Sequence, residues 1–147
     1  MIRLLIVEDQ PAVRKGLLMR LAAEPDLLVV GEAPDGAAAL DVAACLCPDV
    51  VLIDIEMPDM DGIATASALR SIYPHASVII LSMHDDALTR SRAKEAGVAA
   101  FVGKSMPADT LLTTIRQVAH FIPGGDQIEI HPGQESRQPG FAPRKGG

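Results

Sequence analysis

Val50-Val51-Leu52-Ile53-Asp54-Ile55-Glu56-Met57-Pro58-Asp59-Met60-Asp61-Gly62 opens with four apolar residues, three of them β-branched, and ends them with a carboxylate. An unbroken apolar run of this kind suits a strand covered on both faces, and such strands belong to parallel sheets. Pro58 and Gly62 place a loop after the run, rather than a helix directly. A buried strand that runs straight into an acidic loop is therefore the first structural expectation.

Working outward, the same texture recurs. Short β-branched runs at 2–7, 27–30, 77–81 and 99–102 join the one at 50–53. Between and after them, apolar residues fall at helical spacing over 11–24, 37–46, 62–72, 87–96 and 108–121. Asp9 reads as a helix cap with Pro11 in the first turn, Asp35-Gly36 as a turn before the second helix, and Ala96-Gly97 as a helix stop. Five β-α repeats with short connections predict an α/β fold: a doubly wound parallel sheet with helices on both faces, joined by right-handed crossovers.

The chain has 147 residues, enough for one domain with a single core. Hydrophobic residues are 48% and aromatics only 3%, with no Trp, so the core rests on Leu, Ile, Val, Met and Ala. A net charge of −6 argues against a nucleic-acid surface, which needs a basic patch. Neither a membrane-spanning run nor a signal sequence is expected, which reads as a cytoplasmic protein with no membrane contact. Cys45 and Cys47 are too close for an easy disulfide and lack nearby His, so they read as small buried apolar side chains near a helix end. From 123 to 147, ten of 25 residues are Pro or Gly and periodicity is lost. The expected organisation is a folded unit over 1–122 and a flexible tail or linker over 123–147.

In an open parallel sheet the functional crevice lies beyond the carboxyl ends of the strands, where strand order reverses. The residues ending the predicted strands are Glu8 and Asp9, then Asp54, then Ser82, then Lys104. Three carboxylates in one place repel each other unless a cation intervenes. Hard oxygen ligands without His or Cys suit Mg²⁺, which binds through one or two carboxylates plus a phosphate. Taken singly, each residue has a plainer reading as cap, turn former or solvated surface group. Their joint position at one end of the sheet is what points to a site.

Glu8-Asp9, Asp54 within Asp54-Ile55-Glu56-Met57-Pro58-Asp59-Met60-Asp61-Gly62, Ser82, Phe101 and Lys104 together resemble the receiver domain of bacterial response regulators, over residues 1 to about 121. The resemblance implies a five-stranded, flavodoxin-like sheet of order 2-1-3-4-5. It implies that Asp54 accepts a phosphoryl group from a sensor histidine kinase's phosphohistidine. Asp9, Asp54 and the backbone carbonyl of Glu56 would ligate Mg²⁺, with Glu8 acting through a water. Lys104 and Ser82 would contact the phosphoryl oxygens, and Phe101 would swing inward as Ser82 moves. Glu56 and His84 would flank the path of the hydrolytic water and tune the lifetime of the phosphorylated state. Val29-Val30-Gly31-Glu32-Ala33 and Leu81-Ser82-Met83-His84-Asp85-Asp86 are similar to the LuxR/NarL-type subfamily, whose helix-turn-helix output unit has no counterpart after Phe121. Ser105 stands where other receivers commonly have Pro.

The fourth and fifth helices offer a phosphorylation-dependent homodimer face, although Asp85, Asp86, Arg90, Arg92 and Lys94 equally suit a solvated surface. Three rivals are weaker. A phosphohydrolase with an Asp nucleophile wants Asp-x-Asp on its first strand, whereas the nucleophile here is on the third and position 56 is Glu. A flavodoxin-type phosphate cradle is the electrostatic opposite of Glu8-Asp9-Gln10-Pro11. A receiver that takes no phosphate and serves as a fixed interaction module retains no specific support, since every site residue is intact. The expectation is thus a signalling switch that is not itself an enzyme.

Overall fold

The computed structural model describes residues 1–55, 62–83 and 86–119. In chain order the elements are β1 (Ile2–Val7), α1 (Pro11–Ala22), β2 (Leu27–Ala33), α2 (Gly36–Leu46), β3 (Val50–Asp54), α3 (Gly62–Ile72), β4 (Ser77–Ser82), α4 (Ala87–Glu95), β5 (Ala100–Gly103) and α5 (Ala108–Ala119). The five strands are all parallel, in the order β2-β1-β3-β4-β5. That is the doubly wound arrangement expected from the alternating pattern, and its order reverses between β1 and β3.

Side chains alternate across a strand, so each strand feeds both layers of the core. Leu4 and Ile6 of β1, Leu52 of β3 and Ile79 of β4 pack with Leu21 of α1 and Leu111, Ile115 and Val118 of α5. Leu5, Val7, Val51, Ile53 and Ile80 point the other way, onto Ala39 and Ala43 of α2 and Ala66 and Leu69 of α3. Every residue of β3, β4 and β5 is buried, which explains their lack of polar alternation. β2 is an edge strand, and its Leu28 is exposed. With each fully buried Leu or Ile stabilising by about 1.5–3 kcal/mol, the two aliphatic layers hold the sheet without Trp.

Local signals explain most of the boundaries. The Asp35 side chain accepts from Ala38 N at 2.8 Å and caps α2. Asp86 does the same for α4 through Thr89 N at 2.7 Å. Gly97 follows α4 at φ +86°, in the left-handed region where a side chain is strained. α1 stops at Ala22 rather than 24, because Pro25 disfavours helical geometry in the residue before it. β2 continues past 30 through Gly31 and Glu32, because these pair with Leu5 and Ile6. A Cβ on Gly31 would lie 2.8–2.9 Å from Leu46 and Val42 of α2, so glycine there permits the helix to close on the sheet.

Two expectations are corrected. Asp9 is not the cap of α1: Gln10 occupies that position and makes no side-chain cap bond, leaving the Asp9 carboxylate for other work. Cys45 and Cys47 do lie at a helix end, but both are exposed. The inward face of α2 is filled by Ala39 and Ala43, and Cys47 closes the helix in a left-handed conformation at φ 50°. The tail at 123–147, the last residues predicted for the fifth helix, and the positions of Glu56, His84 and Asp85 lie outside the described residues. Among the described residues, no helix is long and apolar enough to cross a membrane.

Candidate functional site

Parallel register brings the strand ends together. Val7 pairs with Ile53, Asp54 with Leu81, and Ser82 with Gly103. Glu8, Asp54, Ser82 and Lys104 therefore end adjacent strands at one edge of the sheet, beside the β1/β3 reversal. Carboxylate oxygens of Glu8, Asp9 and Asp54 all lie within 4.8 Å of one another. Lys104 Nζ reaches Asp54 Oδ2 at 2.9 Å. The backbone of Lys104 is fixed in turn, its N–H donating to Ser82 O at 2.7 Å.

These groups are not surface charges. Glu8 is 1% exposed, Asp54 5% and Ser82 0%, while Asp9 is half-buried. Glu8 Oε2 accepts from Gln10 N at 3.2 Å, but Glu8 Oε1 is enclosed with no hydrogen-bond partner among the described residues. Burial, reinforced by the neighbouring Asp54 carboxyl, pushes Glu8 up to about 8. A buried, under-satisfied carboxylate crowded by two others is costly in the metal-free protein. All-oxygen donors with one unsatisfied oxygen fit a hard divalent cation.

Two further contacts shape this end of the sheet. A Cβ on Gly62 would stand 2.9 Å from Ile55 Cα and 3.1 Å from Asp54 O, so α3 starts hard against the backbone that carries Asp54. Arg14, on α1, donates through Nη1 to the Glu8 backbone carbonyl at 2.6 Å and through Nε to Glu32 Oε1 at 3.0 Å. Sequence reading passed over Arg14. The signal available was a cation near the start of a helix, where the dipole disfavours it. Phe101 is buried on the α2–α4 side of the sheet, with the Arg90 guanidinium 4.8 Å from its ring centre. Glu56 and His84 fall outside the described residues.

The response regulator receiver domain model matches residues 4–116, which take in β1 through most of α5. The chain belongs to the response-regulator receiver family. The transcriptional regulatory protein DegU of Brevibacillus brevis is 34% identical over 131 residues, covering 89% of this chain and 53% of DegU. The probable transcriptional regulatory protein NarL of Mycobacterium tuberculosis is 35% identical over 118 residues, covering 80% of this chain and 55% of NarL. The receiver thus spans about half the length of these curated relatives. Among solved structures, the signal receiver domain of the putative NarL of Mycobacterium tuberculosis superposes with a TM-score of 0.75 at 35% identity, covering 80% of this chain and 95% of that one. The response regulator domain of Thermotoga maritima CheB gives 0.76 at 31% identity, over 84% and 99%. The receiver fold and the kinship with NarL/LuxR-type two-component regulators expected from the motifs are borne out, and the acidic cluster sits at the carboxyl end of the receiver's sheet.

Proposed function

We propose that this receiver takes a phosphoryl group on Asp54 from the phosphohistidine of a sensor histidine kinase. The observation that carries the reading is the Lys104–Asp54 contact at 2.9 Å beside the Glu8, Asp9 and Asp54 carboxylates. An Asp54 oxygen attacks phosphorus, the phosphorus–nitrogen bond of the donor breaks, and its electron pair leaves on the imidazole. Phosphoryl transfer of this kind needs positioning and neutralised charge more than covalent help. Mg²⁺, when bound, would supply positive charge that offsets the carboxylates and the charge of the transferring phosphoryl group. Asp9, Asp54 and the Glu56 backbone carbonyl would hold it, with Glu8 holding one of its waters. Lys104, already on the acceptor carboxylate, neutralises a phosphoryl oxygen, and the buried Ser82 hydroxyl donates to another. Glu56 and His84 then tune how fast water removes the group.

The phosphorylated state is read out through Ser82 and Phe101, which lie on adjacent strands. A new dianion attracts Ser82 and Lys104 and biases the face formed by α4, β5 and α5. That face controls an output, transcription by analogy with the relatives, acting through a further domain or a phosphorylation-dependent homodimer in the cytoplasm. The receiver promotes only its own phosphorylation and dephosphorylation and is not itself an enzyme. Residues 1–122 form the receiver, and 123–147 act as tail or linker.

Intact-protein mass after incubation with acetyl phosphate, with and without Mg²⁺, tests this. One phosphoryl adduct is expected, dependent on Mg²⁺ and absent in Asp54→Asn. No adduct in any condition would reject the phosphoacceptor role and leave a receiver that works by constitutive contacts.

A further inference from the structure

The backbone of Glu8, which follows β1 and leads into Asp9, is held from two elements, β2 and α1. Glu8 N–H donates to Ala33 O of β2 at 3.0 Å. Glu8 C=O accepts from Arg14 Nη1 at 2.6 Å, a short charge-assisted bond. Arg14 cannot turn away from that carbonyl freely, because Glu32 at the end of β2 fixes its Nε at 3.0 Å. Arg14 is the fourth residue of α1, a helix whose start has neither an acidic residue nor a side-chain cap. A cation there gains nothing from the helix dipole, so its placement is explained by what the guanidinium reaches.

We infer that Arg14 is a positioning residue for the divalent-cation site: clamped by Glu32, it fixes the Glu8–Asp9 peptide and so sets where both carboxylates project toward Asp54. This rests on the reading of the acidic cluster as a Mg²⁺ site. The planar guanidinium suits the task, since one edge meets the carboxylate while another nitrogen meets the carbonyl. A lysine ammonium is a point donor and cannot span both in a fixed orientation. Without the clamp the peptide can rotate, and the cation must bear the cost of ordering Asp9. Arg14 holds the Glu8 backbone carbonyl and Glu32, so its effect should fall on cation affinity first.

The test uses the full 147-residue chain as wild type, Arg14→Ala, Arg14→Lys and Glu32→Gln. Mg²⁺ affinity is measured by calorimetry, metal-free stability by thermal melting in a chelator, and acetyl-phosphate labelling at low and saturating Mg²⁺. Arg14→Ala is expected to weaken Mg²⁺ binding by about tenfold, the usual scale for residues that orient ligands. Its metal-free melting should shift little, and saturating Mg²⁺ should restore most of the labelling rate. Arg14→Lys should lose nearly as much, and Glu32→Gln less, because the amide oxygen still accepts from Nε. Mg²⁺ affinity within about twofold of wild type in Arg14→Ala overturns the inference, as does a loss of metal-free stability at unchanged affinity, which makes Arg14 only a tether. Should Arg14→Ala fail to fold, Arg14→Lys decides on the same criterion. A wild-type chain that binds no Mg²⁺ rejects the reading of the site itself.

Discussion

Glu8 offers a test of the acidic cluster that needs no phosphate. Its carboxyl is pushed up to about 8, chiefly by burial and then by Asp54, so near neutral pH the metal-free site holds a proton that a cation must displace. If binding requires ionised Glu8, affinity scales with the ionised fraction. That fraction is about one in a hundred at pH 6, about one in ten at pH 7 and about half at pH 8. The Mg²⁺ dissociation constant should therefore fall by about 50-fold between pH 6 and 8 and then level off. An ordinary glutamate, with its value at 4.5, would be fully ionised over this range and give no slope. Binding at pH 7 should also release about 0.9 proton.

Because the chain has no Trp, calorimetry is the suitable assay, run in two buffers of different ionisation enthalpy to count the proton. Glu8→Gln should bind more weakly and without the slope. The same group makes a statement about stability, with the sign set by the direction of the shift. The folded value lies above the unfolded one, so the protonated carboxyl's contribution is complete below 4.5 and is lost as pH rises through about 8. Metal-free melting should thus fall across that window, and Mg²⁺ should flatten the fall. An affinity constant from pH 6 to 8, with no proton released, would refute the premise that Glu8 is protonated in the metal-free crevice.

Other perturbations probe the frame around the site. Gly62→Ala drives a methyl against Ile55 Cα and Asp54 O, backbone that cannot yield as a side-chain tip can. It should cost about 1–3 kcal/mol and slow phosphoryl labelling; unchanged melting by calorimetry would show that α3 relaxes freely. Arg116 joins Glu24 at 2.7 Å and Asp26 at 2.8 Å, tying α5 to the turn before β2 and holding Asp26 below its usual 3.8. Since a lowered carboxyl stabilises above its unfolded value and loses that contribution as pH falls through its folded value, Arg116→Ala should destabilise slightly at neutral pH and progressively less as pH falls below 3.8, or in high salt. A constant gap in melting temperature across those conditions would count against the ion pairs. Glu56→Ala should change the decay of the phosphorylated state more than its formation, and equal half-lives for the two proteins would sink that role.

The architecture was legible because each physical demand left a local mark. Buried parallel strands need largely aliphatic runs, and the runs at 2–7, 50–53 and 77–81 fall within β1, β3 and β4. The site was legible for a topological reason: in such a sheet the residues ending the strands must meet, so Glu8, Asp54, Ser82 and Lys104 could be grouped before any distance was known. What escaped depends on long-range pairing. β2 runs on through Gly31 and Glu32, poor strand formers by themselves, because β1 supplies partners. Asp9 was placed correctly among the three carboxylates, and only its reading as a helix cap failed, because Gln10 takes that position. Arg14 meets Glu32 across 18 residues of sequence, a separation that no helical or strand periodicity reports.

The crevice and the core answer different demands, and the contrast bears on function. The two aliphatic layers on either face of the sheet are well satisfied and need nothing from outside the chain. Among the described residues, the crevice holds a buried Glu8 oxygen without a partner and three crowded carboxyl groups, faced by the Lys104 ammonium. A fold selected only for stability would have replaced one of those acids, because a buried unsatisfied carboxylate costs more than an apolar side chain of similar size. Retaining all three leaves the metal-free crevice electrostatically frustrated. On the proposed reading, frustration confined to the ends of the strands would let one cation and one phosphoryl group change the balance of forces without disturbing the sheet. The energy available to such a switch is the difference between the crowded and the neutralised crevice. On the proposed reading, that difference would reach the α4–β5–α5 face through Lys104 and Ser82, whose backbones are joined by a hydrogen bond.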